Sequence, residues 1–175
     1  QAVREAVAAG AALELFATPD AAQRHPELLA AARAGGAAVD LIDARTAAGL
    51  SETVTPQGLI AVCARMPVDL AAALARGPRL AAAIVAGSDP GNAGAVLRTA
   101  DAAGAGAMIY AGAGVDPYNG KAVRAGAGSV FHLDVVLEPS PAELIGAAQA
   151  AGLQVLATSG RGSADLDDLI DAGTL

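Results

Sequence analysis

Cysteine is almost absent: the 175-residue chain holds only Cys63. No internal disulfide can form, and a reducing compartment is expected. The two histidines, His25 and His132, are distant from each other and from Cys63, so the spacing of a metal-ligand cluster is lacking and no metal is expected. Neither histidine neighbours a plausible nucleophile, which argues against a hydrolase built on a Ser/His/Asp or Cys/His set. Tryptophan is missing, and aromatics make up 2% of the chain; the apolar share is carried by Ala and Val, which favours tight helix and sheet packing. No uninterrupted apolar run reaches the roughly 18 to 20 residues needed to cross a bilayer, and no charged-then-apolar leader opens the sequence. The expectation is a soluble, cytoplasmic protein with no membrane partner. Positive charge is also scarce. The net charge of −7 argues against a nucleic-acid partner for the surface as a whole, although Arg98, Lys121, Arg124 and Arg161 are enough for a local phosphate site.

What is present is an alternation of helical and strand-like patterns. Residues 1–9 read as a helix, 13–18 as a strand, 26–34 as a helix and 39–43 as a strand, and an apolar stretch at 58–64 follows the turn Thr55-Pro56-Gln57-Gly58. This predicts a small α/β unit over residues 1–65. Residues 66–78, with a proline near each end and an Ala-rich helix between, read as a linker. From 79 to 175 the pattern predicts strands at 80–86, 107–110, 132–137 and 154–157, separated by helices at 93–103, 117–125 and 141–151. Short apolar strands joined by helices of about ten residues imply a parallel sheet with helices on both faces. The acidic run 165–171 reads as a solvated helix start, since it lacks the Gly and terminal Glu of a calcium loop. The chain opens at Gln1 on a helical pattern and stops after that run, so the natural start and a further strand are expected to lie outside this sequence.

In open parallel sheets, ligands sit beyond the carboxyl ends of the strands. The turn Gly87-Ser88-Asp89-Pro90-Gly91-Asn92-Ala93-Gly94 leads into a helix start whose free N–H groups suit an anion. The local alternative is a capped helix start, and the turn lacks both the Lys-Ser/Thr of a P-loop and the spacing of a dinucleotide fingerprint. Arg98 follows Asn92 by six residues, about 9 Å along a helix at roughly 1.5 Å per residue, within reach of a substrate shared with Asn92. Its local alternative is an exposed pair with Asp101. Lys121 and Arg124 lie one turn apart and precede a run of small residues; they are either a ligand-facing edge or a solvated face. The loop Thr158-Ser159-Gly160-Arg161-Gly162 either borders a cofactor or turns the chain.

Two blocks in order, Asp89-Pro90-Gly91-Asn92-x-Gly94-x-x-x-Arg98-Thr99-Ala100 and Val115-Asp116-Pro117-Tyr118-Asn119 with Arg124-Ala125-x-x-Gly128-Ser129-x-Phe131, resemble the SpoU/TrmH family of the SPOUT superfamily. Residues 1–65, with the Thr55–Gly58 turn, are similar to the ribosomal-protein-like RNA-binding domain that often precedes this catalytic domain. The resemblance implies methyl transfer from S-adenosylmethionine to a ribose 2′-hydroxyl of ribosomal or transfer RNA, more readily ribosomal, by a homodimer. It assigns Asn92 and Arg98 to the active site, Arg124 and Ser129 to the RNA phosphate or to the loop that supports Arg98, and Thr158 to the edge of the methyl-donor pocket; Lys121, one turn before Arg124, is expected to bind the substrate beside it. The family's second and third motifs, which build its trefoil knot, have no counterpart before Leu175, so the chain by itself is expected to lack an intact donor site. Two other readings stay open: a non-catalytic RNA-binding or regulatory protein that keeps the fold, and a flavodoxin-like nucleotide-binding protein.

Overall fold

A computed structural model describes residues 1–51, 53, 56–159, 161, 162, 165 and 168. Local sequence starts most of its helices. Thr18 accepts a hydrogen bond from the Ala21 N–H at the head of α2 (Pro19–Arg24), whose first residue is proline. Pro26 likewise opens α3 (Pro26–Ala34), and the Asp43 carboxylate caps α4 (Ala44–Leu50) through the Thr46 N–H. Such caps satisfy donors left over by the helix, and proline at the first position gives up an N–H that had no partner.

The first sheet has the order β2-β1-β3. Strand β1 (Ala12–Ala17) pairs parallel with β2 (Ala38–Leu41) and antiparallel with β3 (Leu59–Cys63). One face carries Leu15, Ala17, Val39, Leu59 and Ala61 against Leu29 and Ala32 of α3 and Val3 and Val7 of α1 (Ala2–Ala8). Cys63 is half-buried, and burial pushes its thiol above the ordinary value, which leaves it a poor nucleophile.

The second sheet is all parallel, with spatial order equal to chain order: β4 (Ala81–Val85), β5 (Ala107–Ala111) and β6 (Asp134–Leu137). All five residues of β5 are buried, because both faces are covered. Met108 and Tyr110 point into a cluster with Ala93, Leu97 and Ala100 of α6 (Pro90–Ala102) and with Val130. Ala107, Ile109 and Ala111 meet Ala73 of α5 (Leu70–Ala75) and Leu144 of α8 (Pro141–Ala150) on the other side. A capping box at Ser140 and Glu143 opens α8. The crossover from β5 to β6 contains α7 (Gly120–Ala125) and a 3₁₀ turn, Ser129–Phe131.

Several sequence expectations need correction. Residues 154–157 form no strand: they are exposed and unpaired with either sheet, and apolar content alone does not supply ladder partners. The helices α2 and α4 were not expected, although Thr18-Pro19 and Asp43 carry their start signals. The third strand of the second sheet begins at Asp134 instead of His132, because the 3₁₀ turn takes up the preceding residues. The expected turn at 55–58 and the acidic run 165–171 fall partly outside the described residues.

Candidate functional site

The loops after β4, β5 and β6 meet at one end of the second sheet. The Val115 N–H donates to the Gly87 carbonyl at 2.7 Å, and a Cβ at Gly114 would come within 2.5 Å of that same oxygen. The backbones therefore touch where a side chain would separate them. Ala86, at the end of β4, and Glu138, just after β6, hold left-handed backbone with φ of 51° and 58°. That conformation costs a non-glycine residue about 1–2 kcal/mol and persists only where surrounding contacts impose it. Beside these loops lies a cavity of about 190 Å³ lined by Arg65, Tyr110, Gly112, Asp116 and Glu138 among others. Burial, with Tyr118 adding to it, pushes the Tyr110 hydroxyl up to about 12, so that phenol stays neutral near pH 7.

The N-terminus of α6 is held by Asp89. Its Oδ1 accepts from the Asn92 N–H at 2.7 Å, and its Oδ2 meets Lys121 Nζ at 3.2 Å. The Asn92 amide, then the Lys121 ammonium, keep the Asp89 carboxyl below its ordinary value. This carboxylate is thus an anchor between α6 and α7 and a weak base. Asn119 caps α7 through the Lys121 N–H. Between the helices there is no room for a side chain at Gly94: a Cβ there would lie 2.3 Å from the Ala122 carbonyl oxygen, 2.7 Å from the Ala125 Cβ and 2.8 Å from the Gly126 nitrogen.

The wheel of α6 separates the two residues expected at the active site. At about 100° per residue, Asn92 and Arg98 stand about 120° apart around the axis. Arg98 follows Gly94 by one turn and so lies on the flank next to α7. It is exposed and makes no hydrogen bond or ion pair among the described residues. It is not paired with Asp101, which is engaged by Ser129 and by His132 Nδ1 at 2.7 Å. Burial works against ionisation of Asp101, but the hydrogen bonds from Ser129 and His132 outweigh it and hold the carboxyl below its ordinary value. Ser129 is 5% exposed, so its hydroxyl braces the C-terminal half of α6, three residues beyond Arg98. Lys121 and Arg124 are both exposed on α7. Thr158 is exposed and does not line that cavity.

Sequence reasoning missed Arg65. Its guanidinium reaches Asp116 at 2.8 Å and lies 4.8 Å over the Tyr118 ring, bringing the end of the first unit to the loop after β5. Nothing in the local pattern around residue 65 signals this. Among the described residues no group of His, Cys, Asp or Glu is arranged to hold a metal, and no helix is long and apolar enough to cross a membrane.

Known proteins share this fold. The profile of the SpoU rRNA methylase family matches residues 79–173, and that of the RNA 2′-O ribose methyltransferase substrate-binding family matches residues 1–67. RlmP of Bacillus subtilis, a 23S rRNA (guanosine(2553)-2′-O)-methyltransferase, is 39% identical over 110 residues, which cover 63% of this chain and 42% of that protein. A 23S rRNA (uridine(2479)-2′-O)-methyltransferase of Streptomyces viridochromogenes is 41% identical over 86 residues, covering 46% and 30%. This chain thus spans less than half the length of either relative. Among solved structures, the AdoMet-bound rRNA methyltransferase of Sinorhizobium meliloti superposes with a TM-score of 0.77 at 28% identity, over 93% of this chain and 60% of that one. The SpoU methyltransferase AviRb of Streptomyces viridochromogenes, in complex with AdoMet, gives 0.69 at 30% identity over 85% and 56%. With more than half of its residues matched by the first profile and the same α/β architecture as these enzymes, the chain belongs to the SpoU rRNA methylase family.

Proposed function

We propose that this chain contributes an RNA-binding part and catalytic-domain residues to an S-adenosylmethionine-dependent RNA 2′-O-methyltransferase, with ribosomal RNA as substrate. In this reading residues 1–65 bind RNA, 66–78 join the two parts and 79–175 belong to the methyltransferase domain. The enzyme works in the cytoplasm, where its RNA is, and as a homodimer. The observation that carries the proposal is the cationic flank where α6 meets α7, at the loop end of a parallel sheet: Arg98, Lys121 and Arg124 are all exposed there.

In this reading Thr158, which is exposed, borders the methyl-donor pocket. The residues placed on the RNA side stand on α6, α7 and the turn that follows. A ribose hydroxyl becomes nucleophilic as its proton departs, and nearby cations favour the developing alkoxide. Arg98 serves that role or grips the adjoining phosphate, because a guanidinium stays charged and does not accept a proton near neutrality. Asn92, at the head of α6 beside the Asp89–Lys121 pair, offers a neutral amide to the sugar. Lys121 and Arg124 engage phosphate oxygens, and Ser129 acts indirectly by fixing the half of α6 that carries Arg98. A 2′-hydroxyl target also separates RNA from DNA.

The test is transfer of labelled methyl from S-adenosylmethionine to unmodified ribosomal and transfer RNA by the gene product that carries this chain. Label in ribosomal RNA, lost with Arg98→Ala, is the expected result. RNA binding without any transfer would instead favour a non-catalytic RNA-binding protein.

A further inference from the structure

The two units meet at a histidine. His132 follows the 3₁₀ turn, and its two ring nitrogens face two carboxylates from opposite sides: Nδ1 lies 2.7 Å from Asp101 Oδ2 on α6, and Nε2 lies 3.2 Å from Glu5 Oε2 on α1. A carboxylate only accepts, and a neutral imidazole carries a single N–H, so both contacts are hydrogen bonds only when the ring is protonated. The surroundings are built for this contact. Gly128, with φ of 99°, comes so close to α1 that a Cβ there would lie 2.8 Å from the Glu5 Cγ and 3.0 Å from the Ala2 Cα. Gln1 donates its side-chain amide to the other Glu5 oxygen, which turns that carboxylate towards the ring.

We infer that His132 is a proton-operated clasp between the N-terminal unit and the second sheet: as imidazolium it bridges Glu5 and Asp101, and as neutral imidazole it keeps Asp101 and releases Glu5. Asp101 is the partner kept because its contact is shorter and Ser129 also fixes it. The other charged groups on the elements packed around the ring are occupied elsewhere or unengaged. Arg4 of α1 contacts His25 Nδ1 at 3.1 Å, Asp134 of β6 is bonded to Arg76, and Arg98 of α6 makes no such contact among the described residues. The hydrogen bond to Asp101, ahead of the opposing effect of burial and the added pull of Glu5, raises His132 above its ordinary 6.5. A raised histidine stabilises the docked arrangement fully below 6.5, and that stabilisation is lost as pH rises through the raised value. The clasp therefore opens on the alkaline side. This inference does not depend on the proposed activity.

Nuclear magnetic resonance on this chain tests it. The ring signals of His132 and the backbone amides of α1 and of residues 126–131 should titrate with one midpoint, above that of a free histidine. Glu5→Gln should lower that midpoint and give the α1 amides their alkaline positions at acid pH. In His132→Gln the α1 amides should lose this titration, while His25→Gln should leave it in place. A ring that titrates without moving the α1 amides, or α1 amides that titrate unchanged in His132→Gln, would overturn the clasp.

Discussion

Replacing Gly94 by alanine puts a single methyl group where two helices touch backbone to backbone. Alanine is the better helix former by up to about 1 kcal/mol, so on propensity alone the variant gains stability. The added carbon would stand 2.3 Å from the Ala122 oxygen and 2.7 Å from the Ala125 Cβ, and ordinary contact requires α6 and α7 to part by about 1 Å. Overpacking of this kind costs about 1–3 kcal/mol, and the upper end applies because the obstacle is a carbonyl that cannot rotate away. The expected net effect is a loss of about 1–2 kcal/mol. Gly146→Ala is the matched control: Gly146 lies inside α8, is exposed, and has nothing within 4 Å of the new carbon. That variant should gain up to about 1 kcal/mol. Subtracting the two cancels propensity and unfolded-state effects and leaves the steric cost, about 2–3 kcal/mol between the variants. Urea unfolding followed by far-ultraviolet circular dichroism measures it, a probe suited to a chain without tryptophan. Equal midpoints for the two variants would refute the account of the α6–α7 seam.

Other substitutions test the site and the fold. Arg98→Ala should leave the unfolding midpoint in place and lower the rate of methyl transfer about 10²- to 10³-fold, the range for loss of one oxyanion donor; activity equal to wild type would remove Arg98 from the mechanism. Arg124→Ala should weaken RNA binding and lower the slope of log affinity against log salt by about 0.7–0.9, and an unchanged slope would remove its phosphate contact. Ser140→Ala breaks the capping box of α8 and should cost about 1 kcal/mol in the same urea assay, whereas no loss would show that the cap contributes little.

Much of this architecture was legible because local rules and tertiary demands coincide. Pro26 marks the start of α3, and the short apolar run at 107–110 between helical patterns points to a strand covered on both faces. The sequence said less where the deciding partner is distant. Arg65 reaches Asp116 across 51 positions, and His132 meets Glu5 across 127; spacing along a single segment contains neither. Residues 154–157 show the converse, since apolar character there is not matched by a neighbouring strand. At the candidate site the two motif blocks fall on loops that meet at one end of the second sheet, and the helical wheel adds how their residues are set around α6. It sets Arg98 beside α7 and places Asn92 on another flank.

Chain order and spatial order coincide in the second sheet, whereas in the first the central strand must wait for β3, about 45 residues downstream. Each neighbouring pair in β4-β5-β6 closes a loop of about 25 residues through its own crossover. Assembly by short closures is entropically cheap and fast. During synthesis this sheet can grow strand by strand as the chain emerges, with α6 laid down before α7 closes the Gly94 seam. The cationic flank would then be set by the order of synthesis, without waiting on a distant partner.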